Sequence, residues 1–166
     1  MPSRLFLAAA LLSVVTSAAC GPGVDLAKTL EVTSVFTGWY DQGVVGGKNK
    51  LVPSITFQLH NRGTAAVSRV QLLVSFWKTS DDGEWDSALV TGIGSTSLAP
   101  GMSTDPLVVR AAIGYTFEQP RAEIFSHSQF QDVTAKIFAK RSDKFVPLGE
   151  FKLDRRLLAH AAAGRP

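Results

Sequence analysis

The chain has a single thiol, Cys20, approached by the small residues Thr16-Ser17-Ala18-Ala19. Upstream of them lie Arg4 and an apolar run from Leu5 to Val15. A charged start, a short apolar stretch and small residues before a cut form the pattern of an export signal over residues 1–19. The run is shorter than the roughly 20 residues that a bilayer-spanning helix needs. A lone cysteine cannot close an intrachain disulfide, and an odd one in an exported chain calls for a modification or a free thiol. An ordinary signal cleavage near Ala19, leaving Cys20 as an incidental thiol, stays open at this point.

Other residue types that could carry chemistry are scattered. His60, His127 and His160 are far apart and none has a histidine four residues away, so the spacing builds no zinc helix. Gly92-Ile93-Gly94-Ser95 is not a nucleophile elbow, and Gly47-Lys48-Asn49 lacks the hydroxyl residue of a phosphate loop. Asp81, Asp82, Glu84 and Asp86 supply oxygens of the kind calcium takes, but their order around Gly83 suits a solvated hairpin tip better than a coordinating loop. The expectation is therefore no catalytic residue, no metal and no cofactor. Trp39, Tyr40, Trp77 and Trp85 are the better lead, because aromatic rings stack on sugars or peptides and tryptophan is enriched at interface hot spots. In a β-domain the same rings also pack between sheets. Trp77, next to an inward Phe76, is the one expected at the surface.

These side chains need a frame, and residues 20–166 suffice for one domain with a real core. That core must hold without disulfides. The 17 Lys and Arg against 14 Asp and Glu give a net charge of +3, too even for a nucleic-acid footprint. The small excess is a weak pull toward anionic lipid headgroups.

Gly21-Pro22-Gly23 begins a tether over 20–28. From Thr29 the chain turns to Val, Phe, Trp and Tyr, and Gly46-Gly47 marks a loop. Ile55, Phe57 and Leu59 alternate with Ser54, Thr56, Gln58 and His60, which is the two-residue period of a half-buried strand. Val70, Leu72, Val74 and Phe76 repeat the pattern, with Arg69, Gln71, Ser75 and Lys78 outward. Between these strands, Asn61-Arg62-Gly63-Thr64 is a turn. Ser80 to Gly83 is a hairpin signal, and Glu84 to Ser97 returns as a strand weakened by Gly92 and Gly94. Pro100-Gly101 suits a type II turn, and Pro106 precedes a short or edge strand at Leu107–Val109. Pro120 limits residues 118–127 to a loop with a short helix at most. Phe130–Lys140 and Lys144–Arg155 form a last pair of strands, and 157–166 reads as a flexible tail. About seven short strands with almost no helix predict an all-β, immunoglobulin-like β-sandwich over 29–156.

Two resemblances add to this reading. Thr16 to Cys20 resembles the bacterial lipobox, with Ser17 where Leu is commoner. The resemblance implies a diacylglycerol on Cys20 as mature N-terminus and a lipid anchor in the bacterial cell envelope. Gly21 rather than Asp after the cysteine favours the outer membrane, facing the periplasm, by analogy with enterobacterial sorting. Residues 52–110 carry Ile55-Thr56-Phe57-Gln58-Leu59-His60-Asn61-Arg62-Gly63, then Val70 to Phe76, then Leu98-Ala99-Pro100-Gly101. This order resembles the FxLYD and CARDB-type immunoglobulin-like domains of envelope proteins, although Trp77-Lys78 stands where the motif has Tyr-Asp. Such domains are adhesive or scaffolding modules, so the resemblance implies a non-enzymatic interaction module with an envelope protein as partner. A small-ligand or carbohydrate binder using the four aromatics, and an accessory subunit of an envelope transport system, are the alternatives.

Overall fold

The structure, a computed structural model, describes residues 24–80 and 82–158. Residues 1–19, Cys20, Asp81, His160 and the tail beyond 158 lie outside the described residues. A four-residue helix, α1 (Leu26–Thr29), leads into β1 (Leu30–Val45) and β2 (Lys48–Asn61). Then follow β3 (Val70–Lys78), β4 (Glu84–Ile93), β5 (Leu107–Arg110) and β6 (Tyr115–Phe117). A 3₁₀ helix (Arg121–Ser126) after Pro120 precedes β7 (Val133–Lys140), β8 (Phe145–Lys152) and β9 (Leu157–Leu158).

Two sheets form. One has the order β5-β2-β1-β9, with β6 also on β2, and the other has the order β4-β3-β7-β8. All ladders are antiparallel except that between β1 and β9. Setting aside the short β6 and β9, three strands face four, with consecutive strands switching sheets between β2 and β3, β4 and β5, and β5 and β7. That is the immunoglobulin-like sandwich arrangement.

Alternation selects the inner faces. Ile55, Phe57, Leu59, Val70, Leu72, Val74 and Phe76 are all fully buried, while Gln71 is exposed and Gln58 and His60 are half-buried. Val133, Ala135, Ile137 and Ala139 of β7 complete the facing layer. Gly92 is the extra residue of a bulge between the pairs Val70–Ile93 and Gln71–Thr91. A Cβ there would lie 2.7 Å from Leu72 Cγ, so the close backbone approach requires glycine. Gly101, at φ 75°, closes the turn in which Met102 N–H donates to Ala99 O at 3.1 Å, which is type II geometry.

Some details differ from the sequence expectation. Ser75 is on the outer face yet buried, because the Trp77 indole folds over it and Nε1–H donates to Ser75 Oγ at 2.9 Å. Val52 and Ser54 are also buried on the outer side of β2. The Arg110 guanidinium lies 3.6 Å from the centre of the Tyr40 ring, and this stack bridges β5 to β1 across β2. The domain also reaches beyond 29–156 at both ends. Leu26, assigned to the tether, is buried in the core, and Leu157–Leu158, assigned to the tail, pair with Trp39 and Tyr40.

Candidate interaction surface

The four aromatics singled out from the sequence do not share a surface. Trp39 is only 1% exposed, and its ring packs 4.9 Å from Phe130, 5.6 Å from Tyr115, 6.4 Å from Trp85 and 6.5 Å from Phe125. Trp85 turns into the same cluster, 5.2 Å from Tyr115, with Lys78 Nζ 4.6 Å above its ring. Tyr115 Oη accepts the Gln131 N–H at 3.1 Å, tying β6 to the approach of β7. These rings close one end of the sandwich. Trp39 and Phe130 are core, and the half-buried Trp85, Tyr115 and Phe125 pack against them through tilted and edge contacts of the kind aromatic quadrupoles favour.

Tyr40 and Trp77 lie on outer faces, but of different sheets. Tyr40 carries the Arg110 stack on the β5-β2-β1 sheet. Trp77 is on the outer face of the β4-β3-β7-β8 sheet, with Lys136 Nζ 4.5 Å from its ring centre and Glu150 Oε1 3.7 Å from the same ammonium. Trp77, Thr79, Asp82, Thr134, Lys136 and Glu150 border a shallow depression of about 370 Å³.

Beside Trp77 the outer face carries an apolar row that crosses all four strands. Leu89 pairs with Leu73, Leu73 with Phe138 and Phe138 with Pro147. Leu89 is 59% exposed, Pro147 is exposed and Phe145, at the next turn, is 40% exposed. A contiguous apolar band on a solvent-facing sheet is the kind of surface that partners cover. The sequence held its signal: Leu73, Leu89 and Phe138 sit on the outward phase, where polar residues are the rule.

The remaining candidates have structural partners. His60 Nδ1 lies 3.1 Å from Ser103 Oγ across an isolated bridge. His127 Nδ1 accepts the Gln129 N–H at 3.2 Å, at the mouth of a cavity of about 380 Å³ lined also by Phe117, Ile124 and Phe130. Asp86 accepts three backbone N–H groups, from Ala112 at 2.6 Å, Ile113 at 2.9 Å and Ser87 at 2.9 Å, so this carboxylate fastens the chain after β5. Among the described residues, no three His, Cys, Asp or Glu side chains come together as a metal-holding group.

The Asn-x-Gly and Leu-x-Pro-Gly stretches act in the fold. Asn61 is fully buried, and its Nδ2 donates to Ala65 O and Leu98 O at 2.9 Å each while Oδ1 accepts the Gly63 N–H at 3.0 Å. One amide thus ties two loops together. At the other end Asp132 holds Arg155 at 2.7 Å and Lys152 at 3.1 Å, and these cations, Arg155 foremost, keep its carboxyl below the ordinary carboxylate value.

No family model matches the sequence, and neither does any curated protein. Among solved structures the chain is similar to one titled "X-ray structure of Northeast Structural Genomics Consortium target SoR45". The identity is 14% and the TM-score 0.47, over 85% of this chain and 98% of that one.

Proposed function

We propose that this protein is a lipid-anchored envelope lipoprotein whose immunoglobulin-like domain works by contact with a protein partner, without turnover. The small residues before Cys20 support the anchor. The observation that carries the contact reading is the outer-face apolar row Leu89–Leu73–Phe138–Pro147 beside Trp77, exposed at Leu89 and Pro147 and half-buried at Leu73 and Phe138. An anchored domain that leaves the ends of such a row open to water gains free energy when a partner covers it. Trp77 adds an amphipathic ring at the rim, a residue type that concentrates binding energy.

The carbohydrate-binding alternative needs several rings around one concave face. With Trp39 in the core, Trp85 packed half-buried against it and Tyr40 on the opposite sheet, Trp77 has no neighbouring ring from that set.

The test is photocrosslinking in intact envelope from position 89, with position 108 on the opposite sheet as control, since Val108 is 52% exposed. A discrete crosslinked protein from 89 and none from 108 is expected. Leu73→Lys and Trp77→Ala should abolish or weaken capture by more than they lower the folding midpoint. Equal crosslinking from both faces, or capture unaffected by both substitutions, overturns the reading.

A further inference from the structure

At the end of the sandwich where the chain enters, three cations border one cleft. Arg69, just before β3, and Lys140 and Arg141, at the β7–β8 hairpin, line a depression of about 330 Å³ together with the hydroxyls of Thr91, Ser95 and Ser142. None of its lining side chains is acidic. The nearest acid on the hairpin is the exposed Asp143.

The two arginines here stand apart from the other described arginines. Arg62 donates to Lys28 O and Ala27 O, and Arg110 stacks on Tyr40. Arg121, Arg155 and Arg156 pair with Asp41, Asp132 and Asp154. Among the described residues, neither the Arg69 nor the Arg141 guanidinium has an acceptor, and both residues line the same cleft. Lys140 has only the Phe145 ring, 5.1 Å from Nζ. The backbone holds Arg69 at φ 56° and Ser142 at φ 88°, conformations that non-glycine residues seldom adopt and that cluster at ligand sites. Guanidinium forks left unpaired beside hydroxyls match the oxygens of a phosphate.

We infer that this cleft binds the phosphate of an anionic lipid headgroup at the membrane surface. The location favours a headgroup. β1 begins at the end where β2 stops, β3 starts and β7 finishes, as the pairs Leu30–Asn61 and Gln71–Lys140 show. Val24 therefore leaves the domain on the same side as the cleft. Four peptide steps separate it from Cys20, a reach of at most about 14 Å. The headgroup assignment rests on the anchor proposed at Cys20, whereas the anion site does not.

The full chain carrying Cys20→Ser would be mixed with phosphatidylcholine vesicles, with vesicles containing phosphatidylglycerol, and with inorganic phosphate. Hydrogen exchange is then followed at residues 69–71, 91–95 and 140–142. Protection is expected on the anionic vesicles and not on the neutral ones. Arg69→Ala with Arg141→Ala should remove it and weaken anionic-vesicle binding about thirtyfold, in line with the attraction of individual basic side chains to anionic membranes. Lys48→Ala, at the opposite end, should leave both unchanged. If the double variant fails to fold, Arg141→Glu alone serves, since its side chain has no partner among the described residues. Protection by phosphate without protection on anionic vesicles overturns the headgroup assignment. Protection by neither overturns the site. Fractionation of Cys20→Ser in cells reads the anchor separately.

Discussion

Asn61 shows how one polar side chain can hold two loops. Its amide is fully buried, and it bonds to the backbone of Gly63, Ala65 and Leu98. Asn61→Ala removes the bonds donated to Ala65 O and Leu98 O and the one accepted from Gly63 N–H, at a cost of about 2 kcal/mol for part-buried hydrogen bonds. A urea midpoint shift with unchanged slope would measure this, and a loss below about 1 kcal/mol would mean that water replaces the amide. Phe57 tests the apolar side of the same strand. It is fully buried at the centre of β2, so Phe57→Ala should cost about 3–5 kcal/mol. His60→Ala, three residues on, removes only a half-buried contact to Ser103 and should stay within about 0.5 kcal/mol. The contrast follows from alternation, because a one-residue slip would exchange the two faces.

Elements were legible where one rule acted alone. The inner residues of β2, β3 and β7 follow from a two-residue period, and the turn at Gly101 follows from a residue able to close it. β1 was harder to read because two irregularities break its phase. One lies between Thr33 and Phe36, with Ser34 at φ 52°, and the other lies between Asp41 and Val44. Past the first, Trp39 is inward and Tyr40 outward, which no fixed period from Val32 would give. β6, β9 and α1 are too short for any period and form because distant partners hold them, as Leu157 and Leu158 are held by β1. Side-chain cover such as Trp77 over Ser75 is likewise a three-dimensional fact.

The C-terminal strap, residues 153–156 between β8 and β9, is a segment with its own pH signature. Asp132 pairs with Arg155 and Lys152, and Arg155 Nη1 also donates to Phe125 O, linking the strap to the 3₁₀ helix. The Arg155 hydrogen bond and the nearby cations hold the Asp132 carboxyl below its ordinary value of 3.8. A carboxylate depressed in the folded state adds stability that is fully present above the unfolded value and is lost as pH falls through the folded one. Thermal scans should therefore show the melting temperature falling on acidification below the ordinary carboxylate range. Asp132→Asn should lower it at neutral pH by a few degrees and flatten that acid limb. An unchanged acid limb would assign the sensitivity to other carboxylates.

At the scale of the whole molecule, the proposed function turns on how the domain is oriented. The entry end holds the Arg69 and Arg141 cleft, the opposite end is sealed by the Trp39 cluster, and the apolar row occupies one broad flank. A tether from Cys20 would place the cationic end against a membrane and leave the row facing sideways, where a neighbouring protein could reach it. Much of this arrangement depends on Cys20, which the sequence marks only through its small-residue approach. The expected outcome is a membrane-fraction peptide that begins at Cys20 and carries a diacylglycerol mass. Cys20→Ala should shift the protein from the membrane to the soluble fraction while its melting temperature stays unchanged, since the described core begins at Val24 and Leu26. A single acyl chain holds a protein to a bilayer only marginally, whereas two chains hold it stably, so the loss should be nearly complete. An unmodified thiol at position 20, together with membrane retention of Cys20→Ala, would remove the anchor and with it the reason for this orientation.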